Sequence, residues 1–124
     1  MPEAYLEVRN ICKSYAAPSG RRLEALADVT FAARELEFVS LLGPSGCGKS
    51  TLLRIIDGLI VPDSGAVRIA GEPVVGPGRG RGMVFQNVDL FPWRTTLGNV
   101  EFGLEMLPMS RAELAPDSAM AATM

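Results

Sequence analysis

Hydrophobic and polar positions nearly alternate at the start of the chain. Leu6, Val8 and Ile11 are separated by polar residues, a pattern that predicts a half-buried β-strand with one irregularity. Two more extended segments follow at residues 22–26 and 29–33, after a turn. The pattern therefore predicts three short strands that form an antiparallel layer.

The hydrophobic period then changes. Residues 37–42 form a continuous apolar run of strand length, followed by a glycine-rich stretch. After that stretch, apolar residues recur at i, i+3, i+4 and i+7, namely at Leu52, Ile55, Ile56 and Leu59. This part of the chain therefore predicts a buried strand, a loop and an amphipathic helix.

Shorter elements are predicted downstream. Residues 62–65 have the composition of a turn, and residues 67–69 and 73–75 predict a β-hairpin. A glycine-rich stretch with Arg79 and Arg81 follows, and residues 83–85 predict a buried strand. The glycine-rich surroundings favour a solvated loop for both arginines over contact with a phosphate group.

Composition limits the possible classes of protein. The 124 residues are 48% hydrophobic, which is sufficient for the core of one domain. Twelve basic and 14 acidic residues are mixed along the chain, so no broad basic field favours nucleic acid. Apolar segments are short and interrupted by charged residues, and we expect a cytosolic chain that does not span a membrane. Two cysteines are too few for a disulfide framework or a zinc site.

The glycine-rich stretch carries the candidate chemistry. It consists of Gly43, Pro44, Ser45, Gly46, Cys47, Gly48, Lys49, Ser50 and Thr51, which we call the phosphate loop. Glycines allow backbone N–H groups to converge on phosphate oxygens, and Lys49 adds a positive charge. The N-terminus of the following helix favours the same anion, and the Ser50 hydroxyl is suited to bind Mg²⁺.

Two alternatives apply to the phosphate loop. A glycine-rich turn can hold a lysine by chance, although the strand before the loop and the helix after it argue against this. Cys47 is either a tolerated small side chain or a thiol made reactive by Lys49 and the helix N-terminus.

Five segments together resemble a known family. They are residues 12–15, 43–51, 62–65, 83–86 and 90–95, and their order and spacing are similar to those of the ATP-binding subunit of ABC transporters. The likeness covers roughly residues 6–106 and is greatest to importers of the nitrate, sulfonate and taurine type. It implies an α/β, P-loop NTPase fold: the N-terminal part of an ABC ATPase domain, with an antiparallel β subdomain and an incomplete central sheet. Residues 1–106 would form this partial domain, and residues 107–124 a divergent, disordered tail.

The resemblance also assigns roles to single residues. Tyr15 would stack on adenine, where an exposed tyrosine at a strand end is the alternative. Gln86 would be the Q-loop glutamine that contacts the metal and the attacking water, so that Ser50 and Gln86 are the implied metal ligands. Phe91, Pro92 and Trp93 would receive the transmembrane permease, with core packing as the alternative for Trp93. Implied cofactors are ATP and Mg²⁺.

The chain departs from the family pattern in several places. Leu36 replaces a glycine in the turn before the phosphate loop, which strains the backbone if that turn needs a positive φ. The chain has no histidine, and neither an Asp-Glu strand end (Walker B) nor the signature motif is present. We therefore expect binding of ATP without hydrolysis.

The missing motifs suggest a truncated or frame-shifted reading of a longer gene, with low stability at the open sheet edge. In an intact transporter the subunit would pair with a second nucleotide-binding subunit, at the inner face of the cell membrane. The alternatives are another P-loop enzyme, such as a small kinase, and a non-functional remnant.

Overall fold

A computed structural model of the chain describes residues 4–87 and 89–107. The elements are β1 (Leu6–Ala16), β2 (Arg22–Ala33), α1 (Lys49–Asp57), β3 (Ser64–Ile69), β4 (Glu72–Pro73) and α2 (Thr96–Glu105). The chain divides into two compact units, Met1–Met83 and Val84–Met124. The predicted tail, residues 107–124, lies outside the described residues apart from Leu107.

The four strands form one antiparallel sheet in the order β2-β1-β3-β4. The predicted antiparallel layer is confirmed, but its second and third strands are a single strand, β2. Irregular register between β1 and β2 accommodates Asn10 and Asp28, which have φ values of 50° and 49°. The Asn10 Nδ2 atom donates a hydrogen bond of 2.7 Å to Asp28 Oδ1. The bulged residues are thus bonded to each other, and pairing continues on both sides.

The predicted hairpin is present as β3 and β4, although Val74 and Val75, predicted as part of its second strand, lie outside β4. Ile69 pairs with Glu72, so the two residues of the turn are Ala70 and Gly71. Both have positive φ, 50° and 80°. Two-residue hairpin turns favour this conformation because its twist matches that of the strands.

The core of the first unit lies between the sheet and α1. Its buried residues are Val8, Ile11, Leu26, Leu52, Ile55 and Val67. In α1, Leu52 and Ile55 face this core and Ile56 is half-buried, as the helical period predicts. The helix ends at Gly58, which has a φ of 84°, so Leu59 is not helical and is 44% exposed. A glycine in the left-handed region is a common end to a helix.

Two predicted strands are absent from the described residues. Residues 37–42 and 83–85 are not paired with any other segment there, and neither is a strand. Phe38 and Leu42 are each 92% exposed and Val84 is 93% exposed, so the prediction of buried strands was wrong. An apolar segment becomes a β-strand only where a neighbouring strand accepts and donates its backbone hydrogen bonds.

The turn before the phosphate loop has the strained conformation that its sequence suggested. Glu37 N donates to Arg34 O across the turn at 3.2 Å, and Leu36 has a φ of 61°. The Leu36 side chain is fully exposed, so burial does not offset the strain.

Candidate phosphate-binding site

The phosphate loop is built from a turn and two left-handed glycines. Cys47 N donates to Pro44 O at 3.3 Å, and Gly46 and Gly48 have φ values of 80° and 97°. A Cβ atom at Gly48 would also collide with the carbonyl oxygen of Ala25 in β2. Gly48 is therefore required both for its backbone conformation and for the close approach of the loop to the sheet.

The Lys49 side chain folds back over the loop. Its Nζ atom donates to Gly43 O at 2.6 Å and to Pro44 O at 2.8 Å, and lies 3.4 Å from Cys47 Sγ. These contacts hold one ammonium group next to the glycine-rich backbone. A positive charge is thus fixed in the loop at the N-terminus of α1, where the helix itself favours an anion.

The loop leads directly into the N-terminus of α1. Gly48 is the N-cap residue and offers no side chain to cap the helix, and the first turn contains no acidic residue. The partial positive charge of the helix therefore has no intrahelical carboxylate near it. Ser50 is exposed in this first turn and Thr51 is half-buried. An exposed hydroxyl oxygen at this position is a suitable ligand for Mg²⁺ held by phosphates.

Cavities in the described part of the first unit include two that bear on the site. One, of about 250 Å³, is lined by Lys49, Cys47 and Gly48 together with residues 40–42 and apolar residues of β2 and α1. The other, of about 410 Å³, lies behind α1 beside β3 and contains no residue of the phosphate loop. Although larger, this second cavity is lined mainly by apolar side chains and does not match a polyphosphate.

Tyr15 lies near the end of β1 and is 38% exposed. It pairs with Leu23, and Lys13 pairs with Leu26, a residue that contacts Gly48. The part of β2 that touches the phosphate loop therefore pairs with the end of β1 that carries Tyr15. Adenine stacking by Tyr15 stays a prediction, as does the alternative of an exposed tyrosine at a strand end.

Asp63 makes contacts that sequence reasoning missed. Its Oδ2 atom accepts a hydrogen bond of 2.7 Å from Ser14 N, and its Oδ1 atom accepts one of 3.0 Å from Lys13 Nζ. The bond from Ser14 and then the one from Lys13 lower the pKa of this carboxyl below its ordinary value of 3.8. Residues 62–65 were interpreted as a turn and as part of the family pattern, and no local signal pointed to a partner far along the chain.

Gln86 is exposed and belongs to the second compact unit, whereas Ser50 and Lys49 belong to the first. Its action on a metal ion or a water molecule stays a prediction.

Within the second unit an aromatic cluster surrounds Phe91. The ring centroids of Trp93 and Phe102 lie 5.2 Å and 4.7 Å from that of Phe91. Trp93 is 76% exposed, which argues against core packing as the explanation for this residue. Apolar exposure of this kind is typical of a contact surface.

Arg94 connects the loop before α2 to the end of that helix. Its guanidinium nitrogens lie 2.8 Å and 3.0 Å from the two carboxylate oxygens of Glu105. These hydrogen bonds lower the pKa of Glu105 below its ordinary value of 4.5. The pair therefore closes α2 against the preceding loop while Glu105 is ionised.

The two arginines of the glycine-rich stretch differ from each other. Arg79 is exposed, as expected for a solvated loop. Arg81 is half-buried, and its guanidinium donates to the carbonyl oxygens of Asp57 and Gly76. Arg81 therefore binds the C-terminal end of α1, where a cation is favourable, and the solvated-loop interpretation was wrong for it.

A left-handed glycine loop, its bound lysine and the helix that follows define the phosphate-binding element of P-loop nucleotide-binding proteins. Comparison with known proteins specifies the family. The family model described as ABC transporter matches residues 26–123, and the chain belongs to this family. The matched range extends past residue 106, and the domain boundary there stays a prediction.

Curated relatives include ATP-binding proteins of ABC transporters. One, an uncharacterised ABC transporter ATP-binding protein of Methanocaldococcus jannaschii, is 48% identical over 87% of this chain and 40% of its own length. A taurine import ATP-binding protein of Pelagibacter ubique is 47% identical over 79% of this chain and 37% of its own length. A nitrate import ATP-binding protein of Synechocystis sp. is 44% identical over 88% of this chain and 41% of its own length. The chain thus spans about two fifths of the length of these relatives.

A solved structure confirms the fold class. The ATP-binding cassette MJ0796, solved as a dimer in a post-hydrolysis state with ADP and Pi, superposes with a TM-score of 0.80 at 34% identity. The match covers 93% of this chain and 54% of the cassette. The chain has the fold of the N-terminal part of an ABC ATPase domain, as its sequence motifs indicated. Among the described residues, no helix has the length and apolar character needed to cross a membrane.

Proposed function

We propose that this chain binds MgATP as the N-terminal part of an ABC transporter ATPase that drives solute import. The observation that carries the proposal is the phosphate loop, in which Lys49 Nζ is held 2.6 Å from Gly43 O at the N-terminus of α1. This arrangement provides backbone N–H groups, an ammonium ion and a helix N-terminus for the phosphates. Residues 43–51 hold the phosphates, and Tyr15 stacks on adenine.

Two residues of this chain would hold Mg²⁺ in this proposal. The Ser50 hydroxyl, exposed in the first turn of α1, is one ligand. Gln86 is the second, and also orients water in the complete ATPase. When bound, the metal would supply positive charge to the phosphates, while the residues of this chain orient the nucleotide.

The chain by itself binds ATP and does not turn it over at a significant rate. Phosphoryl transfer depends on several groups that act together, and the carboxylate, histidine and signature residues of the family have no counterpart in this sequence. Steady-state phosphate release that is lost in Lys49→Ala would contradict this proposal.

Residues 86–93 form the surface for a transmembrane permease subunit. Exposure of 61% at Leu90 and 76% at Trp93 supports a docking role, because a loop of this kind is otherwise polar. Relatives named as taurine and nitrate import proteins support the importer class. In this assembly the chain is cytoplasmic, peripheral at the inner face of the cell membrane, and paired with a second nucleotide-binding subunit.

Calorimetry with MgATP tests the binding proposal. We expect Lys49→Ala to abolish binding, since the loop then lacks its only ammonium group. We expect Tyr15→Ala to weaken binding about 10-fold, as stacking on one base is worth about 1–3 kcal/mol. Arg54→Ala is the matched control, because it removes an exposed cation from the other end of α1 and should leave the affinity unchanged. Absence of MgATP binding by the folded wild-type chain would refute the proposal.

A further inference from the structure

We infer that Asp63 positions Tyr15 for stacking on the base of the nucleotide, acting through Ser14 and Lys13. The inference rests on the proposed function, since it concerns the base end of a nucleotide whose phosphates occupy the phosphate loop. Two separate sets of contacts carry it, one to the backbone of β1 and one to the ring of Tyr15.

The first set extends the pairing of β1 beyond the end of β3. Strand β3 begins at Ser64, which pairs with Cys12. Asp63 then donates from its N–H group to Cys12 O at 2.9 Å and accepts from Ser14 N at 2.7 Å through its side chain. The carboxylate takes the place that a backbone carbonyl has in a regular ladder. It therefore fixes the backbone of the residue directly before Tyr15.

The second set reaches the tyrosine ring. Lys13 Nζ lies 3.0 Å from Asp63 Oδ1 and 5.6 Å from the centroid of the Tyr15 ring. This distance is within the range of a cation–π contact. The Lys13 side chain is only 18% exposed, so the ammonium group is held between the carboxylate and the ring. One face of Tyr15 is thus covered by the cation, while the residue as a whole is still 38% exposed and accessible to a base.

Asp63 is consequently a positioning residue and does not itself contact the nucleotide. Loss of its charge would release Lys13 from the ring, and loss of its oxygens would release the backbone at Ser14. Either change allows the ring more freedom and weakens stacking. Neither change alters the phosphate loop, whose lysine is bonded to Gly43 and Pro44.

A comparison of two ligands tests the inference. Calorimetry would measure binding of MgATP and of magnesium tripolyphosphate, which has the phosphates without the base, to wild type, Asp63→Asn and Glu72→Gln. We expect Asp63→Asn to weaken MgATP binding about fivefold and tripolyphosphate binding less than about twofold. Glu72→Gln, which removes an exposed carboxylate from β4, should change neither. Equal weakening for the two ligands, or no weakening of MgATP binding, would overturn the inference.

A double-mutant cycle with Tyr15→Ala provides the second readout. If Asp63 acts through Tyr15, Asp63→Asn should have no further effect on MgATP binding once Tyr15 is alanine. Additive effects would overturn the inference and leave the proposed function intact. The proposed function fails separately, and the inference with it, if the wild-type chain binds neither MgATP nor tripolyphosphate.

Discussion

At the scale of single residues, Leu36 is the clearest conflict between side chain and backbone. It has a φ of 61° in a turn closed by the bond from Glu37 N to Arg34 O, and its side chain is fully exposed. A left-handed conformation costs a residue with a Cβ atom about 1–2 kcal/mol, and here no burial repays it. The sequence raised this possibility only through the family pattern, since no local feature of residues 34–37 specifies the sign of φ.

Leu36→Gly should raise the free energy of unfolding by about 0.5–1 kcal/mol. Relief of strain in the folded chain exceeds the added entropy of glycine in the unfolded chain. Urea unfolding followed by circular dichroism would measure the change. Leu36→Ala is the matched control, because alanine keeps the Cβ atom and hence the strain, and a glycine variant no more stable than alanine would contradict the prediction.

Stability should fall at acid pH through carboxylates with a lowered pKa. The pKa of Glu105 lies below 4.5 in the folded chain because Arg94 donates to it. Because this pKa is lower in the folded chain than in the unfolded chain, the ionised carboxylate stabilises the fold at any pH above its unfolded-state pKa. This stabilisation is lost as the pH falls through the folded-state pKa. When the melting temperature is measured from pH 6 to pH 2.5, it should therefore decrease once the pH is below about 4.5. The decrease should be smaller in Glu105→Gln than in wild type. An identical acid slope in the two proteins would contradict this.

At the scale of elements, the two helices differ in what specifies them. The period of Leu52 and Ile55 predicts α1, and the buried core confirms it. Helix α2 was not predicted, because Gly98 and Gly103 interrupt its apolar pattern. Thr95 was the available signal: its side chain accepts a bond of 3.0 Å from Gly98 N and caps the helix.

Thr95→Ala should destabilise α2 locally by about 1 kcal/mol, the usual value of an N-cap side chain. Amide hydrogen exchange would show faster exchange over residues 96–105, with α1 unchanged. Thr95→Ser retains the hydroxyl and should preserve protection. Equal acceleration in both helices would indicate a global effect and contradict the local one.

At the scale of the whole molecule, the main feature is a described segment that is rich in exposed apolar side chains and pairs with no strand. Phe38 and Leu42 are both 92% exposed in a segment that pairs with no other described strand. Exposed apolar segments with free backbone groups are prone to associate. The relatives are more than twice as long as the part of them that this chain matches.

Phe38→Ser/Leu42→Ser should reduce self-association of the chain. Light scattering as a function of concentration would measure it, and we expect the midpoint concentration for association to rise several-fold. Val61→Ser/Val75→Ser is the matched control, since it also removes two exposed apolar side chains, away from this segment. Equal improvement in both variants would point to general hydrophobicity as the cause.

Sequence alone determined the phosphate loop and the helix that follows it, because the left-handed glycines, Lys49 and the apolar period of α1 act within a few residues of one another. Pairing was decided only in the tertiary structure. Residues 37–42 read as a strand, yet strand formation depends on hydrogen bonds to segments distant in the sequence. The bond between Asp63 and Ser14 was likewise decided only in the tertiary structure. Ser14, whose N–H group donates to Asp63, lies 49 positions away, and no local pattern identifies a partner at that separation.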